Sequence, residues 1–145
     1  MLSLNDIKKA LTGLLNDVKS GINIFCEDIE QIDMLGTRAF PLLYIQLIQL
    51  SSSITLDGKS RNRVILVDIT FMEKSKSSNE TMYDVAELIT TKVGIGFKVK
   101  DRFLKVFSVG TNIADDTLHV TFNLDFYDDL MINSDETDLY ESISL

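Results

Sequence analysis

The sequence predicts an α+β fold in which a mostly antiparallel sheet packs against two helices, in the order α-β-β-β-α-β-β-β. From Thr117 to Tyr127, apolar and polar residues alternate over eleven positions, which is typical of a strand with one buried face. Residues 4–19 and 79–93 instead space their apolar residues three and four apart, as amphipathic helices do. Short connections join the remaining strands, which favours this sandwich of one sheet and two helices.

The first helix begins after Ser3, which can cap it, and Asp6 lies favourably near the positive helix end. Ser20 and Gly21 end this helix. A short strand follows over residues 22–27, and residues 28–40 are predicted to form a loop. The apolar stripe of the helix consists of Leu4, Ile7, Leu11, Leu14, Leu15 and Val18.

The second predicted strand starts at Pro41, a position at which strands tolerate proline. Residues 42–50 are apolar in both phases, which predicts a central strand covered on both faces. Serines 51–53 and Asp57-Gly58 then predict a turn, and the chain returns as a strand over residues 61–71. One face of that returning strand carries Arg63, Ile65, Val67, Ile69 and Phe71, and its half-apolar second face carries Val64, Leu66, Asp68, Thr70 and Met72.

The second helix follows a charged, serine-rich loop at residues 73–78. Asn79 can cap it, and Gly94 and Gly96 end it. Two short strands, at residues 97–99 and 103–107, and a turn at residues 110–116 lead to the long final strand.

Charge divides the chain into two parts. Residues 128–145 contain six acids and no base, so residues 1–127 hold the 14 bases and the other 16 acids. We expect a single domain at residues 1–127, and an acidic tail at residues 128–145 that is flexible or docks on a neighbouring subunit. A nearly neutral domain with an acidic tail argues against nucleic-acid binding through a basic surface.

No set of residues predicts catalysis, a cofactor or a metal site. Cys26 and His119 are the only cysteine and histidine, and we expect a buried thiol and a surface or interface imidazole. Gly94-Ile95-Gly96 follows a helix, whereas a phosphate-binding loop precedes one. No apolar run is long enough to span a membrane, and the N-terminus lacks the pattern of a signal peptide.

Six residues are candidates for subunit contacts. The face that carries Leu66 and Asp68 either lies under a helix or becomes buried on assembly. The basic residues of the short strands either form a solvated surface or contact an acidic partner, such as the tail of the next subunit in a ring. The candidates are Leu66, Asp68, Lys98, Lys100, Arg102 and Lys105.

Several blocks, taken in order, resemble the family of small tail terminator proteins of Gram-positive phages, prophages and phage-tail-like bacteriocins. The most specific is the segment from Glu27 to Gln31 followed by the strand that Pro41 initiates. The resemblance covers residues 4–127 and does not include the acidic tail. The matching blocks are residues 24–31, 40–45, 61–71, 83–89 and 118–126.

This resemblance implies a structural role with no chemistry. A terminator forms a ring, usually a hexamer, on the last ring of tail tube protein, stops tube growth and offers a surface to the head-tail connector. In a contractile tail it can also meet the sheath protein. The chain would then belong to the virion tail or a tail-like particle, assembled in the host bacterial cytoplasm. The alternatives are a neck adaptor of the same particle and, third, a small ligand-binding domain or enzyme around His119.

Overall fold

A computed structural model describes residues 2–75 and 77–129, and within these residues the chain has the predicted α+β architecture. The acidic tail was predicted at residues 128–145, and its residues from 130 onward lie outside the described part. The elements are α1 Leu4–Leu15, β1 Asn23–Cys26, α2 Ile29–Leu35, a 3-10 helix Gly36–Ala39, β2 Leu42–Ile54, β3 Ser60–Met72, α3 Asn79–Val93, β4 Gly96–Val99, β5 Arg102–Lys105, β6 Val109–Ala114 and β7 Thr117–Asp129.

The main sheet has the strand order β1-β2-β3-β7-β6, and β4 and β5 form a separate hairpin. β1 runs parallel to β2, whereas the other neighbours in the sheet are antiparallel. The long strands β2, β3 and β7 therefore form the centre of the molecule. No helix among the described residues has both the length and the apolar character needed to cross a membrane.

α1 and α3 cover one face of this sheet. Ile65, Val67 and Ile69 of β3 point to that face and are fully buried, as the alternation in the sequence predicted. The stripes of α1 and α3 pack on them, and an edge-to-face contact between Phe97 and Phe122, with ring centroids 6.2 Å apart, attaches the hairpin. One continuous core therefore joins α1, α3, the main sheet and the hairpin.

The segment predicted as a loop at residues 28–40 contains α2 and the 3-10 helix, so that prediction was wrong. Asp28 caps α2 by accepting a hydrogen bond from the backbone N–H of Gln31 at 3.0 Å. None of the residues of α2 is fully buried, because the helix covers only a small second cluster around Phe25, Ala39 and Leu42. A short helix of this kind leaves no strong apolar stripe, although Asp28 was a capping signal.

Two segments predicted as turns are strands. Ser51, Ser52 and Ser53 continue β2 and lie opposite β3, and β6 occupies most of the predicted turn at residues 110–116. β2 is also not covered on both faces, because Gln46 and Ile48 are exposed. Cross-strand pairing extends these strands past the point at which their own residues suggest an end.

The end of β7 is tied to the N-terminus by a buried carboxylate. Asp128, which the sequence assigned to the tail, is 3% exposed. Its oxygens accept hydrogen bonds from the Leu2 backbone N–H at 3.1 Å, from Arg63 at 3.3 Å and from Arg102 at 3.1 Å. Both guanidinium groups also lie against the ring of Phe126. The folded core thus continues to Asp128.

Two glycines should respond in opposite ways to alanine. A Cβ at Gly96 would collide with the Leu104 carbonyl oxygen and lie 2.8 Å from the Phe103 ring, at a φ of +149°. Gly96→Ala should therefore lower the free energy of unfolding by more than about 1 kcal/mol. Gly13→Ala, in α1 with no neighbour within 4 Å, should raise it by about 0.5–1 kcal/mol. Urea unfolding of both variants checks this, and equal effects would contradict the hairpin geometry.

Candidate assembly surface

The face of the main sheet opposite α1 and α3 is covered by α2 and the 3-10 helix only at one end, around Leu42 and Met72. The described residues leave most of the rest of this face uncovered, and we call it the open face. Its central residues are Leu66 and Asp68 of β3, which lie opposite Asn123 and Thr121 of β7. Leu66 is half-buried and belongs to neither buried cluster of the described residues. The sequence left two possibilities for this side of β3, burial under a helix or burial on assembly. Because no described helix lies over Leu66, the structure favours the second for this residue.

Leu66 lies in a shallow depression of the open face. Val64 and Phe107 supply its other main apolar side chains, and Phe107 is 82% exposed. A large aromatic side chain this exposed beside further apolar surface is typical of a contact site. The polar part of the lining comes from Ser108, Thr121, Asn123 and Asp125.

Asp68 and His119 are brought together on the same face. The Nδ1 atom of His119 lies 3.4 Å from the Asp68 carboxylate and 3.2 Å from the Thr70 hydroxyl. Both partners meet one ring nitrogen, whereas a nucleophile and an orienting carboxylate would need opposite nitrogens. Cys26 packs on the helix side of the sheet, so the sheet separates it from His119. The arrangement links β3 to β7 and lacks the layout of a catalytic triad.

The described residues also lack a grouping suited to a metal ion. No three His, Cys, Asp or Glu side chains among them come close enough together to hold one. Glu27 and Asp28 are adjacent in the sequence but make different contacts. Glu27 accepts a hydrogen bond from the Leu47 backbone N–H at 2.9 Å, and Asp28 caps α2.

The four basic candidates divide into two pairs. Lys100, at the hairpin turn, forms an ion pair with Asp6 at 3.2 Å, and Arg102 pairs with Asp128. Lys98 and Lys105 are exposed on the outer side of the hairpin and form no ion pair with another described residue. The spacing of Lys98, Lys100 and Arg102 suggested that they lie on one side of a single strand. They do not, because the chain reverses direction after β4.

The Lys100–Asp6 contact gives a pH prediction. The Ser3 backbone N–H and then Lys100 lower the pKa of Asp6 below its ordinary value of 3.8. A carboxyl with a lowered folded-state pKa stabilises the fold above its unfolded pKa, and this contribution is lost as pH falls through the folded pKa. Asp6→Asn should therefore destabilise the protein at pH 7 and make the loss of stability below pH 3.8 shallower. Urea unfolding across pH checks this, with exposed Asp33→Asn as control.

The sheet also has two open edges, which the sequence did not predict. β1 pairs with β2 only from Leu42 to Ile45, so the outer edge of β2 beyond Ile45 carries no further strand of the described chain. β6 forms the opposite edge of the sheet. Four exposed apolar residues lie in the outer part of β2 and in the turn after it. Their near-alternation in the sequence was the signal that could have indicated this edge. They are Ile48, Leu50, Ile54 and Leu56.

Comparison with known proteins agrees with this architecture. One solved structure matches with a TM-score of 0.50 at 15% identity, over 92% of this chain and 100% of the other, and supports the fold alone. No curated protein matches the sequence. The family model described as "Phage tail terminator protein" matches residues 6–138, which is eleven residues further than the resemblance found in the sequence and includes part of the acidic segment. The chain therefore belongs to the phage tail terminator family, a family of structural proteins of the phage tail.

Proposed function

We propose that this chain forms a ring, with six copies, on the end of the tail tube, where it stops polymerisation and provides the junction to the head connector. In a contractile tail the same ring would also meet the last ring of sheath protein. The observation that carries the proposal is the family match over residues 6–138. The open face adds a physical argument, because it leaves apolar surface exposed on the isolated subunit.

A ring requires that each subunit offer two different surfaces that fit each other. Head-to-tail contacts of this kind close into a ring when the rotation between neighbours allows it. The outer edge of β2 and the edge strand β6 lie on opposite sides of one sheet. Each has backbone groups that no other described strand pairs with, and such groups favour pairing with a strand of another subunit. We therefore assign the contact between neighbouring subunits to these two edges.

The open face then extends this contact between neighbouring subunits. Leu66, Val64 and Phe107 offer apolar area, and Asp68 with the polar lining of the depression gives directional contacts. Interfaces commonly combine an apolar centre with a polar rim in this way. We assign Leu66 and Asp68 to the surface that is buried against the neighbouring subunit.

Electron microscopy and mass determination of the purified full chain test the ring. We expect annular particles with a central pore and a mass of six subunits. A species that stays monomeric at tens of micromolar, with native circular dichroism, would overturn the proposal. In a particle that lacks this chain, tails should vary in length and exceed the normal length, whereas tails of normal length without heads would favour a neck adaptor.

A further inference from the structure

The outer side of the β4–β5 hairpin carries a small basic and aromatic surface, which we call the hairpin patch: Lys98, Phe103 and Lys105. Lys98 lies opposite Phe103, and Lys105 lies opposite Gly96. The Phe103 ring lies beside Gly96, at a point where a side chain would meet it, and Phe103 is 50% exposed. The patch thus places one accessible aromatic residue on the same side of the hairpin as two lysines.

The base of the hairpin adds positive charge. The single carboxylate of Asp128 contacts two guanidinium groups, those of Arg63 and Arg102. Arg61 is close enough to Arg63 to lower its pKa, after the larger effect of burial. The buried Nε of Arg61 has no hydrogen-bond partner among the residues that the structure describes. Two guanidinium groups thus share one carboxylate, and a third lies close to Arg63, so positive charge collects beside the hairpin.

The described chain ends beside this charge. β7 ends at Asp129, directly after Asp128, which contacts Arg102 of β5. Residues 130–145 follow, with four acids and no base. Five extended residues span roughly 17 Å, whereas the four residues of β5 span about 13 Å. Asp135 and Glu136, the first acids of this segment, are therefore within reach of Lys98 and Lys105.

We propose that residues 130–145 dock on the hairpin patch of their own chain. The acids Asp135, Glu136, Asp138 and Glu141 pair with Lys98 and Lys105, and Leu139 and Tyr140 cover Phe103. The sequence alone pointed to the hairpin of the next subunit. The exit of β7 beside Arg102 favours the same chain, because a tether this short gives a local concentration on the order of millimolar. The proposal holds whether or not the subunits form a ring.

Zero-length carbodiimide crosslinking of the full chain joins lysine amines to carboxylates that are in contact, and it tests the proposal directly. We expect peptides that link Lys98 or Lys105 to an acid of residues 135–141, recovered from the band of monomer mass on a denaturing gel. These crosslinks should decline in high salt. The same peptides recovered only from a band of dimer mass would place the segment on a neighbour and overturn the proposal. Hairpin crosslinks no more frequent than those of Lys74, an exposed lysine next to the other end of β3, would also overturn it.

A charge-reversed variant gives a second readout. In Lys98→Glu/Lys105→Glu, a protease specific for glutamate should cut at Glu136 and Glu141 on the order of tenfold faster, which corresponds to the loss of two exposed ion pairs. Lys74→Glu should cut at the wild-type rate. Equal rates in all three proteins would contradict the docking. The Leu66→Glu variant separates the two proposals, because a monomeric subunit should keep the monomer-band crosslinks even when rings are lost.

Discussion

Replacing Leu66 with Glu is expected to give a folded subunit that no longer assembles. Leu66 lies at the centre of the open face, half-buried and outside the core clusters of the described residues. A glutamate can reach water from this position in the isolated subunit, so the circular dichroism spectrum and melting temperature should stay close to wild type. In an assembled particle the same carboxylate would lose its water without gaining a partner.

Burial of an unpaired polar group costs about 1–3 kcal/mol or more, and a charge costs more than a neutral group. A cost of about 3 kcal/mol corresponds to a weakening of each contact by roughly 100-fold. Multi-angle light scattering should therefore report a monomer for Leu66→Glu at concentrations at which we expect the wild type to form rings. Phe107→Ala, in the same depression, should weaken assembly less, because it removes contact area without adding a charge.

The adjacent residue provides the matched control. Ile65 is on the helix side of the same strand and is 0% exposed, so Ile65→Glu should prevent folding and give insoluble protein. An insoluble Leu66→Glu protein would show that Leu66 belongs to the core. Intact rings of Leu66→Glu would show that assembly leaves this part of the open face in water.

Replacing Asp128 with Ala is expected to lower the free energy of unfolding by about 3–5 kcal/mol, as is usual when one partner of a buried ion pair is removed. Arg63 is 3% exposed and would keep its charge beside Arg61 without a compensating carboxylate. The backbone N–H of Leu2 would also lose its acceptor. Urea unfolding monitored by circular dichroism measures this loss.

Asp125→Ala serves as the control on the same strand. Asp125 is exposed and accepts one hydrogen bond from Asn62 at 2.7 Å, so its removal should cost less than about 1 kcal/mol. The double variant Arg63→Met/Asp128→Leu removes both charges and should recover much of the lost stability. A loss below 1 kcal/mol in Asp128→Ala would contradict the buried network, and so would a double variant less stable than the single one.

The sequence correctly predicted the elements whose apolar residues recur at a regular spacing. The alternation from Thr117 to Tyr127 identified β7, and the spacing of Ile7, Leu11 and Leu15 identified α1. α2 was missed because a seven-residue helix over a small cluster shows little periodicity. The far half of β2 was missed because serine favours turns locally, whereas its pairing with β3 extends the strand.

The candidate contact residues show the same division. Leu66 and Asp68 were selected because one phase of β3 is only half-apolar, and the structure places both on the open face. Lys98, Lys100, Arg102 and Lys105 were grouped by their nearness in the sequence, but Lys100 and Arg102 are occupied by Asp6 and Asp128. Asp128 itself was assigned to the tail because an acidic run resembles a solvated segment.

The amino-acid sequence by itself determined the fold class, the face of each long strand that enters the core and membership of the tail terminator family. Each of these depends on residues close together in the chain, where hydrophobic period and motif order are directly visible. Only the tertiary structure decided which charges are neutralised within the subunit and which surfaces stay exposed. Arg63 and Asp128 are 65 residues apart in the chain and 3.3 Å apart in space, and such a contact depends on how the whole sheet is assembled.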